Sequence, residues 1–218
     1  MYECSQRGWF MRRTKEEAER TRKAILDASL KVFSTKGYAR ARLEEVAKEA
    51  GVTRGAIYWH FDNKAKLYSS AVIESVSGYQ ERLTGILLSD LSPLLKIRTL
   101  MKEWLVTLEQ DEAYRTLVEM ALTKTEFDDQ VMEGVRDWFG FVDRVQQTIA
   151  DLVREGIQAG EIDSRADPEL AALALISYLN GIEETWFIQS MSNGARRFSP
   201  AAMADDFVEF ILCGMTNG

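Results

Sequence analysis

The sequence predicts an all-α protein in two parts. Three observations carry this. Apolar residues recur at helical spacing along most of the 218 residues, no segment sustains the alternation of a half-buried strand, and only 3 prolines interrupt the chain. The division into parts comes from charge. Residues 1–65 carry a net of +5 and the remainder −12, within a total of −7. A basic module attracts phosphate, and an acidic remainder helps to orient it.

The opening MYECSQRGWF has no period, and helical patterning begins with the RRTKEEAERTR that follows Met11. Residues 1–11 are therefore set apart as an N-terminal extension, with Met11 as an alternative start. A first helix is expected over about Lys15–Lys36, with Ala24, Ile25, Ala28, Leu30, Val32 and Phe33 inward and Gly37 ending it. A second covers Leu43–Ala50, with Leu43, Val46, Ala47 and Ala50 inward. Gly51 allows a sharp turn, Thr53 is a good N-cap, and a third helix follows over Arg54–Phe61. The fourth runs from about Asn63 to Leu88. Beyond it, helices are expected over about 93–109, opened by Pro93, and over 112–124 and 127–158. Two more follow over 168–189, opened by Pro168, and from Pro200 to Cys213.

Composition excludes several classes. Apolar residues at 46% and charged residues at 28% are the balance of a folded globular protein, not of a disordered tail. The two cysteines, Cys4 and Cys213, lie at opposite ends and suggest no disulfide framework, so a reducing cytoplasm is expected, with Cys213 as a buried thiol. The uncharged apolar stretch Leu170–Ile182 is too short to span a bilayer, and no membrane partner is expected. His60 is the only histidine, and no Gly-rich phosphate loop or Cys/His pair accompanies it. Neither catalysis nor a metal nor a cofactor is expected.

Two short helices around Gly51 have the spacing of a helix-turn-helix, whose second helix enters the major groove. On the third helix, Ile57 and Phe61 stand i, i+4 and face inward over Val52. Gly55, Tyr58 and Trp59 then project outward, and Arg54 stands at the exposed N-terminus. Gly55 lets backbone approach DNA, Arg54 can donate twice to guanine, and Tyr58 can meet a thymine methyl or a phosphate. Lys64 opens the fourth helix, where the dipole disfavours a cation and a phosphate contact would explain it.

The stretch GYARARLEEVAKEAGVTRGAIYWHFDNKAKLY closely resembles the signature of the tetracycline-repressor (TetR/AcrR) family. VTRGAIYWHF followed by a lysine, and the opening RRTKEEAERTR, resemble the branch that represses multidrug efflux pumps. A weaker resemblance continues through TKTEF, REGIQAGEID and YLNGIEETW. The resemblance implies a homodimer of all-helical subunits. Residues 12–65 would bind a palindromic operator, and residues 66–218 would bind ligand and dimerise. Carried over by position, the DNA-contacting set is Thr53, Arg54, Gly55, Tyr58, Trp59, His60 and Lys64, with Arg42 on phosphate. One departure stands out. Many relatives have Thr or Ser where this chain has Ala41; an N-cap replaced by Ala costs about 1 kcal/mol.

The resemblance also supplies a pocket for a small hydrophobic effector. Its expected walls are Ile97, Leu100, Met101, Trp104, Val118, Ala121, Leu122, Val142, Val145, Ile149, Ile176, Leu179 and Asn180, although for any single residue a plain core role is the simpler reading. Glu119, Asp143, Asn180 and Glu183 are the polar groups nearby. A buried carboxylate among them would favour cationic amphiphiles; Glu119 and Asp143 read more simply as solvated acids. The segment Glu169–Ile188, apolar on nearly all faces in its first half, and the last helix, with Met203, Phe207, Phe210 and Ile211, would form a four-helix dimer interface. The expected function is a repressor, most specifically of a multidrug efflux pump. A TetR-family regulator of metabolic or lipid genes and a ligand-independent DNA-binding protein are the alternatives.

Overall fold

The computed structural model describes residues 3–123, 129–193 and 198–216, with side chains for residues 15–119, 140, 143–189 and 198–216. The described elements are α1 (Glu3–Lys36), α2 (Leu43–Ala50), α3 (Arg54–His60), α4 (Lys64–Leu87), α5 (Pro93–Gln110), α6 (Glu112–Thr123), α7 (Asp129–Gln158), α8 (Pro168–Asn193) and α9 (Ala204–Leu212). No strand occurs among the described residues, so the fold is all-α as expected. Several boundaries differ, and α8 runs on to Asn193 rather than ending near Gln189. Helix α1 begins at Glu3 rather than near Lys15. Helix α9 begins at Ala204 rather than Pro200, because the Glu109 carboxylate accepts hydrogen bonds from the Ser199 hydroxyl (2.5 Å) and the Ala201 N–H (3.1 Å) and holds that segment as a turn.

The chain forms two compact units, Met1–Glu74 with Thr123–Val135, and Ser75–Leu122 with Arg136–Gly218. The division falls inside α4, later than the expected 65/66. The first turns of α4 carry Leu67, Tyr68, Ala71 and Val72, all buried. Tyr68 meets Phe33 (5.1 Å between centroids) and Tyr38 (5.2 Å), which ties this part of α4 to α1 and to the loop after it.

In the first unit α1 packs on α2, and α2 on α3. Ile25, Leu26, Phe33, Val46, Ile57 and Phe61 form its core. The inward stripe of α1 is shifted slightly from expectation: Ala24 is exposed and Leu26 is buried in its place. The cap of α2 is Arg42, not Ala41. Ala41 is itself buried, and the Arg42 backbone N–H instead donates to the Glu45 carboxylate (3.1 Å). Gly51 ends α2 in the left-handed region at φ 68°, and the next N–H, that of Val52, returns to the Ala47 carbonyl (2.9 Å). Thr53 then caps α3, its hydroxyl oxygen accepting from the Ala56 N–H (3.2 Å).

In the second unit α5 packs against α8 and α9. Ile97, Met101 and Leu105 meet Ile149 and Val153 of α7, Leu175 and Leu179 of α8, and Val208 and Leu212 of α9. Helix α8 also turns Leu170, Leu173 and Ile188 to the surface, and α9 turns out Phe210, 74% exposed. Cys213 is exposed too, contrary to the buried thiol expected, because it follows the last turn of α9 on the side away from Leu212.

A polar cluster crosses this unit. The Glu183 carboxylate of α8 accepts from the Trp104 indole N–H (3.0 Å) and the Tyr114 hydroxyl (3.5 Å), and Tyr114 packs on Tyr79 (5.3 Å). Arg82 lies beside it, paired with Glu103 and bonded to the Thr107 hydroxyl (3.0 Å). Burial pushes the Glu183 carboxyl up to about 7, against the two hydrogen bonds that lower it. The folded chain therefore holds this proton more tightly than the unfolded chain, and the group's contribution to stability is lost as pH rises from the ordinary carboxylate range through about 7. We expect Glu183→Gln to match the parent at pH 5 and to exceed it at pH 8 by on the order of 2 kcal/mol, since the amide keeps an acceptor for Trp104 without the buried charge. Denaturant unfolding at the two pH values measures this, and parallel pH profiles for the two proteins would exclude it.

Candidate nucleic-acid interface and ligand cavity

Helix α3 presents one face inward and one to solvent. Ile57 and Phe61 are buried; Thr53, Arg54, Gly55, Tyr58 (45% exposed) and Trp59 (73% exposed) are on the surface. The glycine at 55 answers no internal demand. Its φ is not positive, and an added Cβ would meet only the Thr53 hydroxyl oxygen at 3.8 Å, an ordinary contact. Something approaching from outside is a better reason for the missing side chain.

The polar groups around this face are already organised. Arg54 pairs with Glu44 of α2, donates to the Tyr58 hydroxyl (3.0 Å), and lies 5.4 Å from the centre of the Tyr58 ring. These contacts keep its guanidinium charged and extended along α3. Arg42 stands exposed at the start of α2. The nearby Glu45 carboxyl is lowered, first by a hydrogen bond from Lys36 and then by the Arg42 N–H. His60 is half-buried, edge-on to Trp59 (4.5 Å). Burial and then the charge of Arg22 lower its pKa, so at neutral pH it offers a neutral ring, a hydrogen-bond donor rather than a cation.

Lys64 has an internal role that sequence reasoning missed. Its ammonium donates to the Ala39 carbonyl (3.3 Å) and lies 4.4 Å from the centre of the Tyr38 ring. A cation at the start of α4 is thus accounted for by the fold, whether or not it also reaches phosphate. The clue was present in Gly37-Tyr38, an aromatic just after a helix stop, but its nearness to Lys64 is tertiary.

The second unit contains a cavity of about 330 Å³. Of the residues expected at a pocket, Ile97, Leu100, Met101, Trp104, Val145, Ile149 and Leu179 line it. Val118 and Ile176 are buried but lie outside the lining, because they pack into the surrounding core. Asn180 is exposed: one residue past Leu179 on α8, it points away from the cavity. The side chains of Ala121, Leu122 and Val142 lie outside the described ones. Glu119 and Asp143 are exposed, and Glu183 sits behind Trp104, so no acid is among the described lining residues.

An entire wall was missed. Tyr79, Gln80, Leu83, Thr84 and Leu87 of α4 line the cavity, as do Arg144 and Thr148 of α7 and Leu175 of α8. The four-residue spacing of Tyr79, Leu83 and Leu87 was a readable signal. It did not reveal that this stripe of α4 borders a void and not solid core. Among the described residues, no group of His, Cys, Asp or Glu could hold a metal, and no helix is long and apolar enough to cross a membrane.

Both regions have counterparts among known proteins. Residues 25–71, which include α2 and α3, match the family described as bacterial regulatory proteins, tetR family. Residues 92–212, covering the α5–α9 region, match the C-terminal region of MAATS-type transcriptional repressors. The chain is 34% identical over 180 residues to the HTH-type transcriptional regulator TtgR of Pseudomonas putida, covering 82% of this chain and 85% of that protein. Among solved structures it is similar to NalD of Pseudomonas aeruginosa, the secondary repressor of the MexAB-OprM multidrug efflux pump. The TM-score is 0.79 and the identity 30%, over 93% of this chain and 98% of that one. It is also similar to SmeT of Stenotrophomonas maltophilia in complex with triclosan, with a TM-score of 0.74 and 26% identity over 90% and 92% of the two chains. With a short helix pair exposing an outward face on α3, an all-helical unit enclosing a cavity, and matches that cover both regions, this chain belongs to the TetR family of transcriptional regulators.

Proposed function

We propose that this chain is a ligand-responsive repressor that binds a palindromic operator as a homodimer and is released by a hydrophobic small molecule, and that its target is a multidrug efflux pump. One observation carries the reading. The cavity's wall includes α4 from Tyr79 to Leu87, and the first turns of the same helix are buried in the core that holds α3. An occupant that shifts α4 therefore acts on a helix the reading head depends on. A coupling of about 1–3 kcal/mol through such a helix weakens binding by roughly 5–150-fold.

The exposed set for DNA is Thr53, Arg54, Gly55, Tyr58 and Trp59, with Arg42, His60 and Lys64 at its margins. Arg54 would exchange its Glu44 pairing for a base or phosphate. A two-fold dimer would read half-sites about 34 Å apart or a multiple of that. The apolar surface of Leu170, Leu173, Ile188 and Phe210 on α8 and α9 supports the dimer, since it leaves large side chains in water that a symmetry mate would cover. The naming of NalD as an efflux-pump repressor, and the triclosan bound to SmeT, support the choice of target and effector class.

Three variants test this reading, each measured by fluorescence anisotropy on DNA from upstream of the chain's own gene. Tyr58→Ala should lower operator affinity about tenfold or more while circular dichroism and sedimentation stay unchanged; unaltered affinity would remove Tyr58 from the interface. Gly55→Ala should raise stability by about 0.5–1 kcal/mol, as alanine does in a helix, and still weaken DNA binding. Equal operator affinity would mean that no backbone approaches there. Val145→Phe fills part of the cavity from a partly buried position. It should preserve operator binding and abolish release by triclosan, and full release would place the effector elsewhere.

A further inference from the structure

We propose that the cavity discriminates its occupants by head group. It takes amphiphiles that end in a hydrogen-bond acceptor or an anion, such as a carboxylate or phenolate, and orients that end toward Arg144. The inference rests on the effector reading above and names the chemistry of the same cavity.

The lining is two-faced. Ile97 and Met101 of α5, with Leu175 and Leu179 of α8, are buried and purely apolar. From α4 and α7 the lining also takes a polar pair each at i, i+4: Gln80 with Thr84, and Arg144 with Thr148. The two threonine hydroxyls have committed their protons. Thr84 donates to the Gln80 carbonyl (2.8 Å) and Thr148 to the Arg144 carbonyl (2.8 Å). The side-chain donors that remain on this polar side are the Gln80 amide and the Arg144 guanidinium. The threonine oxygens still accept and the Gln80 amide both donates and accepts, so Arg144 is the one group on this side that only donates and that carries a charge.

Arg144 is also the one charged side chain among the described lining residues, and no carboxylate among the described residues pairs with it. The contrast with Arg82 of α4 is direct. Arg82 is tied to Glu103, to the Thr107 hydroxyl and to Asp111 (3.9 Å). Gly140 lies one turn earlier on α7, and a Cβ added there would stand in ordinary contact with Arg144 Nη1 at 3.4 Å. The guanidinium lies over that glycine.

A cationic head would find the opposite of what it needs. Glu183, which is not among the lining residues, already accepts from Trp104 and Tyr114. Bringing an ammonium into the lining would set it against Arg144 with no carboxylate among the described lining residues to offset the repulsion. A carboxylate or phenolate can instead take charge-assisted hydrogen bonds from the guanidinium while its tail fills the apolar side.

The test is isothermal titration calorimetry on the full chain with three probes of one tail length: decanoate, decanol and decyltrimethylammonium. The parent should bind decanoate about tenfold more tightly than decanol, the range for a hydrogen bond to a charged group, and the ammonium most weakly. Arg144→Gln should erase the advantage of decanoate over decanol. Arg144→Glu should invert the order of the two ions. Because Arg144 is exposed at its outer edge, both variants should keep the parent's melting temperature. If all three probes bind the parent with equal affinity, or if Arg144→Glu leaves the order unchanged, the head-group inference fails while the cavity keeps its effector role. If none of the three binds, both readings fall together.

Discussion

A helix of seven residues cannot hold its shape in water, because the cost of ordering its first turn exceeds what so few hydrogen bonds return. Helix α3 exists because it is held from both ends and beneath. Gly51 turns the chain in the left-handed region, Thr53 caps the start, and Ile57 and Phe61 sink into a core built by α1 and α2. This anchoring also decides which residues face outward. With Ile57 and Phe61 committed inward, Arg54, Gly55, Tyr58 and Trp59 have only the solvent side left. The capacity of this unit to read DNA follows from how it solves a stability problem.

The second unit faces a different constraint, since an apolar cavity forfeits the packing contacts that would fill it. What keeps its wall in place is a set of directed interactions behind it. Trp104 is held by its hydrogen bond to Glu183, Tyr79 by its ring contact with Tyr114, and Arg82 by Glu103 and Thr107. These bonds fix the ring faces that border the void. They also explain why an acid in this unit need not be a ligand group. Glu183 serves the wall, and the charge that faces the cavity is the opposite one, on Arg144.

Helix α8 shows the same economy. Ala172, Leu175, Ile176, Leu179, Ile182 and Trp186 are buried against its own unit, yet Leu170, Leu173 and Ile188 remain outside. Helix α8 thus carries more apolar side chains than its own unit buries. Phe210 of α9 stacks with Tyr178 of α8 (6.3 Å), so the two helices share this exposed surface.

The family resemblance supplied the DNA-binding class; local rules were enough to determine the helices, the stop at Gly51, the cap at Thr53, and the inward and outward faces of α3. Each depends on spacing along a few turns, and the chain itself encodes that spacing. The sequence also marked seven of the residues that line the cavity, through the family resemblance and the apolar stripes of α5, α7 and α8. Only the tertiary structure decided the rest. It showed that Ala41 is core and Arg42 is the cap, that Lys64 rests on Tyr38, that α4 supplies a full wall, and that Asn180 points away while Arg144 faces in. These depend on which helices meet and at what rotation, and a shift of one residue turns a helical side chain by about 100°. No periodicity within a single helix carries that information.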